Sequence, residues 1–106
     1  MCEKDPIFVS VGYENYLNAS PILAILSPDS APAKRLWRES KERGKLIDAT
    51  SGRKTRSVEW YETDHVAICA LQPKTLVRKI NVEIKRRRKR IAANEHSSFG
   101  KGSEDE

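Results

Sequence analysis

A chain of 106 residues with 38% apolar content and seven aromatic residues is enough for one small domain with a modest core and excludes a second one. Two cysteines, Cys2 and Cys69, exclude a disulfide-dense scaffold, and no apolar run is long enough to cross a bilayer, so extra burial is expected from oligomerisation. The formal net charge of +5 hides a segregation: residues 34–90 hold 18 of the 20 Lys and Arg but 7 of the 15 acids, a local net of +11 that suits a polyanion and lacks the apolar counterface of a membrane-surface segment.

In chain order, "PIFVSVGY" is β-rich and ends at Gly12, which predicts a strand over about Ile7 to Val11. "PILAILSP" places five apolar residues between Pro21 and Pro28, too few for a helix and suited to a buried strand. "SPDSAPAKRLWRESKERG" carries a helix start and stop. Asp29 or Ser30 caps, Pro32 occupies the first turn where its missing N–H costs nothing, and Gly44 takes the left-handed closing position, giving a helix from Ala31 to Arg43. Ala33, Leu36, Trp37 and Ser40 face inward, while Lys34, Arg35, Arg38, Lys41 and Arg43 point elsewhere.

"KLIDAT" and "TRSVEWYE" read as two strands joined by "SGRK" as a hairpin. In the second, Arg56, Val58 and Trp60 share one face and Ser57, Glu59 and Tyr61 the other, with one face mainly apolar. After an "ETDH" turn, "HVAICAL" is apolar on both faces and predicts a central strand covered by helices or by a neighbouring subunit. From Pro73, the residues Leu76, Val77, Ile80 and Ile84 recur at helical spacing and the helix continues through "KRRRKRIA". Residues 94–106 lose the periodicity and read as a disordered acidic tail. The expected fold is α+β: a small, mainly antiparallel sheet, one short helix after the second strand and a longer C-terminal helix. The expected divisions are a domain over residues 1–84, an arginine-rich helical extension over 85–93 and the tail.

Two clusters carry the charge. At "SGRKT", Gly52 permits a backbone conformation that throws Arg53, Lys54 and Arg56 outward together, where guanidinium forks and backbone N–H groups grip phosphates; an ordinary solvated turn is the competing reading. The turn superficially resembles the Gly-Lys-Thr end of a phosphate-binding nucleotide loop, but that loop needs an upstream glycine and a following helix. "KRRRKR", Lys85 to Arg90, surrounds a helix with cations. It is either a phosphate arm with steep salt dependence or a solvated helix end. The apolar stripe meets arginines near positions 87 and 88, so packing is expected to stop at about Ile84. For catalysis, Glu59, Glu62, Asp64, His65 and Cys69 lie close in sequence without a metal-ligand spacing. Cys69 reads as a buried small hydrophobe, and Trp37 and Trp60 as core or subunit contacts rather than base-stacking platforms.

Three ordered blocks, "SPDSAPAKRL", "RGKLIDATSGRKTR" and "DHVAICALQPKTL", with "VGYEN" near the start, closely resemble the RemA family of bacterial extracellular-matrix regulatory proteins, small DNA-binding transcriptional regulators. The resemblance runs from about Phe8 to Leu76. It implies an α+β subunit assembling into a ring-like homo-oligomer, with double-stranded DNA bound along the ring by repeated basic loops. A Gly-Arg-Arg-Thr-Arg segment of the family maps its DNA-contacting pair onto Arg53 and Lys54, beside Arg56, and a family proline at the start of the first helix maps onto Pro32. This chain departs at Lys54, a point charge in place of a fork, at Pro21, where a basic residue is expected, and at Glu14, where glycine is usual.

The expected function is therefore a non-enzymatic DNA-binding regulator or DNA-architectural protein, with avidity supplied by repetition. The expected contacts are Arg53, Lys54, Arg56, Lys34 and Arg35, together with Arg86, Arg87, Arg88, Lys89 and Arg90; Pro32, Gly44 and Gly52 are structural. The alternatives are an RNA-binding or ribosome-associated basic module and a scaffold whose basic face docks an acidic protein. No cofactor, metal, membrane or small-molecule substrate is expected, and the expected location is the bacterial cytoplasm, at the nucleoid.

Overall fold

The computed structural model describes residues 5–97. Its first element is a hairpin of β1 (Phe8–Gly12) and β2 (Asn15–Asn18), paired antiparallel from Phe8↔Asn18 to Gly12↔Asn15 with a register shift between Ser10 and Gly12. Tyr13 and Glu14 turn the chain at φ 55° and 64°, a left-handed pair that matches the twist of the strands but costs energy for residues with a Cβ. Period two does the rest: Val9, Val11 and Leu17 are buried while Phe8 and Tyr16 face outward.

The main sheet contains β3 (Ile22–Leu26), β4 (Leu46–Ala49), β5 (Ser57–Tyr61) and β6 (Val66–Cys69) in the order β3-β5-β6-β4. Between β3 and β4 lies α1 (Ala31–Glu42), after the third strand and not the second as expected, because β2 adds a strand. It starts where the sequence predicts: Ser30 Oγ accepts the Ala33 N–H at 3.3 Å, proline stands in the first turn, and after Arg43 the chain turns through Gly44 at φ +72°. By lying across one sheet face, α1 carries the chain from the β3 edge to the β4 edge, and β5 and β6 fill the two inner places.

That topology corrects three expectations. The hairpin expected at "SGRK" does not form: β6 lies between β4 and β5, pairing parallel with β4 and antiparallel with β5, so the sheet is mixed. β3 is an edge strand with Leu23 57% exposed, not a buried one. The Ser57, Glu59 and Tyr61 face of β5 is covered like its opposite, and Glu59 is 0% exposed.

Both faces of the sheet are packed. On one, Val58, Val66 and Ile68 meet Ala33 of α1, flanked by Leu36 and Trp37. On the other, Tyr61, Ala67 and Cys69 meet Val9, Val11 and Leu17 of the hairpin and Leu76. The continuous apolar run of β6 follows from this double coverage.

Leu76 belongs to α2 (Pro73–Ser97), which runs back along β1. Lys79 Nζ donates to the Ser10 carbonyl at 3.1 Å. Packing goes one turn past Ile84, because Arg87 donates to the Pro6 carbonyl at 2.8 Å and pairs with Asp5 at 2.9 Å. The helix continues to Ser97, so residues 94–97 are helical and not part of the disordered tail expected over 94–106; residues 98–106 lie outside the described residues.

Candidate nucleic-acid interface

The strand directions collect the loops. Because β3, β4 and β6 run parallel to one another and antiparallel to β5, their C-terminal ends and the start of β5 lie at one end of the sheet. From that end emerge residues 27–30 leading into α1, residues 50–56 bridging from β4 to β5, and residues 70–72 leading into α2. The bridge arches over the end of β6, where the Arg56 N–H donates to the Cys69 carbonyl at 2.8 Å.

The 50–56 segment is held at both sides. Asp48 Oδ1 accepts from the Thr50 N–H at 3.0 Å and from Thr50 Oγ1 at 2.6 Å, contacts that hold its carboxyl below the usual range. Asn15 Nδ2 donates to Ser51 Oγ at 2.7 Å, tying the segment to the β1–β2 hairpin. Ser51 and Gly52 then turn at φ 53° and 79°, and the Arg53 N–H closes onto the Thr50 carbonyl at 3.0 Å. After this left-handed pair Arg53, Lys54 and Arg56 are all exposed. The Arg53 guanidinium rests 4.3 Å from the centroid of the Tyr13 ring, a cation–π contact that narrows the range of its fork.

Two clefts flank the segment. One, of about 380 Å³, lies between it and the hairpin tip, with Tyr13, Arg53, Lys54, Arg56 and Leu71 in its wall. The other, of about 670 Å³, lies between it and the two helix starts, with Asp29, Trp37, Lys54, Arg56 and Lys74 in its wall. Lys54 and Arg56 contribute to both.

Of the residues expected from sequence, the structure brings Arg53, Lys54 and Arg56 together. Lys34 and Arg35 are exposed within about 6 Å along the axis of the start of α1, at the same end of the sheet, but line neither cleft. The Lys85–Arg90 run is separate, about 18–25 Å along α2 from Pro73. Within it Arg87 is engaged with Asp5 and Pro6, and Arg86 pairs with Glu83 at 2.9 Å, while Arg88, Lys89 and Arg90 are exposed. Sequence reasoning missed Tyr13 and Lys74; the only signal for Lys74 was its place just inside a helix that starts beside the basic segment.

The acid, histidine and thiol groups near residues 59–69 fall into two separate sets. Asp64 pairs with Arg43, whose guanidinium holds its carboxyl below the usual range. His65 Nδ1 is 2.8 Å from Thr63 Oγ1. Both belong to the β5–β6 turn, at the opposite end of the sheet from the basic segment, while Glu59 and Cys69 are inside the core.

The small mixed α+β chain thus presents a cationic loop region at one end of its sheet. The pattern of the RemA-like family, "Extracellular matrix regulatory protein A-like", matches residues 8–80, and the chain belongs to this family. Relatives named for an inferred regulatory role include one from Geobacillus thermodenitrificans, 45% identical over 73 residues covering 69% of this chain and 84% of the relative. One from Alkaliphilus metalliredigens is 48% identical over 73 residues, covering 69% and 78%. One from Carboxydothermus hydrogenoformans is 43% identical over 76 residues, covering 72% and 87%. These names point to regulation and not to catalysis. Among the described residues no helix is long and apolar enough to cross a membrane.

Proposed function

We propose that the chain is a homo-oligomeric DNA-binding regulator or architectural protein that contacts the phosphate backbone of duplex DNA through residues 53–56, repeated around a ring. The observation that carries this reading is the anchored left-handed turn at Ser51 and Gly52, which presents Arg53, Lys54 and Arg56 from one end of the sheet. Three cations per subunit bind duplex DNA weakly at cellular salt, and repetition on neighbouring subunits raises the effective concentration of each. Self-association is supported by the two sheet edges: β3 and β4 each pair on one side only, with Leu23 57% and Ile47 41% exposed. Selectivity then arises from DNA shape and from the spacing of the repeated loops. The expected place of action is the cytoplasmic nucleoid.

A second reading is favoured by a different observation. Arg88, Lys89 and Arg90 are exposed on a helix far from the 53–56 segment, and an arginine-rich helix serves an RNA backbone equally well.

The test is fluorescence anisotropy on a duplex of about three helical turns and on a structured RNA across a salt series, for the intact chain, Arg53→Ala/Lys54→Ala/Arg56→Ala, and a chain ending at Ile84. The DNA reading expects the triple variant to abolish duplex binding and the truncation to lower only affinity and salt slope. Loss of binding on truncation, with the triple variant unaffected and RNA preferred, establishes the second reading.

A further inference from the structure

We propose that the cleft between the start of α1, residues 54–56 and the start of α2 binds a free nucleotide, its phosphate on the cationic wall and its base against Trp37. At about 670 Å³ the cleft falls in the range of small-molecule sites. Its wall is divided by chemistry. Lys54, Arg56 and Lys74 supply three cations from two elements, against the single carboxylate of Asp29, while Trp37, Pro28 and Pro73 supply ring and apolar surface. A bare phosphate uses only the first group and an apolar ligand only the second. A nucleotide uses both, with Asp29 and Gln72 available to its hydroxyl or amine donors.

Trp37 is half-buried: it packs against the cluster of Ala33, Val58, Val66 and Ile68 and also lines the cleft. Its position is thus fixed by the core before any ligand arrives, which lowers the ordering cost of stacking a base on it. Lys74 reinforces the phosphate side, since it stands in the first turn of α2, where backbone N–H groups have no intrahelical acceptor. No phosphate-binding loop is involved, because the site is assembled from three separate elements.

The inference does not rest on DNA binding, but the two share Lys54 and Arg56. Arg53 leans toward Tyr13 and lines only the other cleft, so a duplex is met at the outer side of the segment and a nucleotide at its inner side. Occupation of the cleft by a dianionic phosphate therefore competes with the duplex for those two cations.

The test titrates the full-length chain, carrying Trp60→Phe so that emission reports Trp37, with adenosine monophosphate and separately with inorganic phosphate. Calorimetry of the unsubstituted chain provides a second readout. Saturable quenching by the nucleotide is expected, with inorganic phosphate at least about tenfold weaker and Lys74→Ala weakening the nucleotide about 10- to 100-fold, the loss expected for a charge-assisted hydrogen bond. Lys74 is exposed, so this variant keeps its fold. Equal affinities for nucleotide and inorganic phosphate, no saturation at millimolar nucleotide, or an unchanged Lys74→Ala each overturn the proposal. Anisotropy on duplex DNA in the same samples separates the readings: nucleotide binding without duplex binding overturns the DNA reading and leaves the cleft assigned.

Discussion

The Arg53 guanidinium lies 4.3 Å from the centroid of the Tyr13 ring, so the tip of the β1–β2 hairpin and the basic segment after β4 restrain each other although they are distant in sequence. An exposed cation–π pair contributes about 0.5–1 kcal/mol. Its larger effect is to limit the rotamers of a long side chain before any phosphate is met. Tyr13→Ala is therefore expected to weaken duplex binding by about 3- to 10-fold while moving unfolding by no more than about 1 kcal/mol. Paired anisotropy and urea titrations check this, and a Tyr13→Ala chain with unchanged affinity shows that the ring does not orient Arg53.

Gly52 sits at φ +79° with nothing within 4 Å of an added Cβ, so Gly52→Ala meets a backbone cost and no clash. The expected destabilisation is about 1 kcal/mol. Relaxation of the turn is expected to lower duplex affinity further than the stability loss alone. Gly52→Asn tolerates the left-handed conformation and is expected to keep most of the affinity; equal losses for Ala and Asn in a binding assay contradict the conformational account.

Glu59 is 0% exposed, and its Oε1 has no hydrogen-bond partner. Burial pushes its carboxyl from 4.5 up to about 7, partly offset by Ser57 and Cys69. Below pH 4.5 the group is protonated in both folded and unfolded chains. Between 4.5 and 7 the folded chain holds the proton and the unfolded chain has released it, so stability falls as pH rises through this window and levels off above it. The fall is about 3 kcal/mol. Glu59→Gln is expected to flatten this part of the pH–stability curve, as measured by denaturant unfolding at pH 5 and pH 8.

Cys69 is fully buried, with its Sγ 3.1 Å from Ser57 Oγ. Burial, and then the Glu59 carboxyl, push the thiol up, so it resists thiolate chemistry. In a Cys2→Ser chain, disulfide-reagent labelling of Cys69 is expected to be at least about a thousandfold slower than in denaturant, tracking global opening. Prompt labelling in native buffer shows that the core opens locally.

The helices were legible because their signals are local. The cap at Ser30, Pro32 in the first turn and Gly44 at the close marked α1, and the Leu76–Ile80–Ile84 spacing marked α2. The central position of β6 was legible because double coverage writes a continuous apolar run. The pairing was not: "SGRK" between two strand-like runs reads as a hairpin, and nothing nearby states that a later strand inserts between them. The β1–β2 hairpin was hidden because Tyr13 and Glu14 occupy left-handed positions where glycine or asparagine normally advertises the turn. Glu14 stands where the family resemblance leads to glycine, so the departure itself erased the signal. At the site, charge density revealed Arg53, Lys54 and Arg56, but Lys74 joins them only through the three-dimensional meeting of loop ends.

The mixed sheet also has a polarity. Its two free edges, β3 and β4, point the same way. Copies that join β3 of one to β4 of the next, like staves in a cask, all keep the same end up, and every cationic segment falls on a single rim. Copies that join like edge to like edge are turned head to foot and split those segments between opposite rims. For the assembly proposed above, the choice of edge thus decides whether DNA meets one continuous track or two faces with half the charge on each.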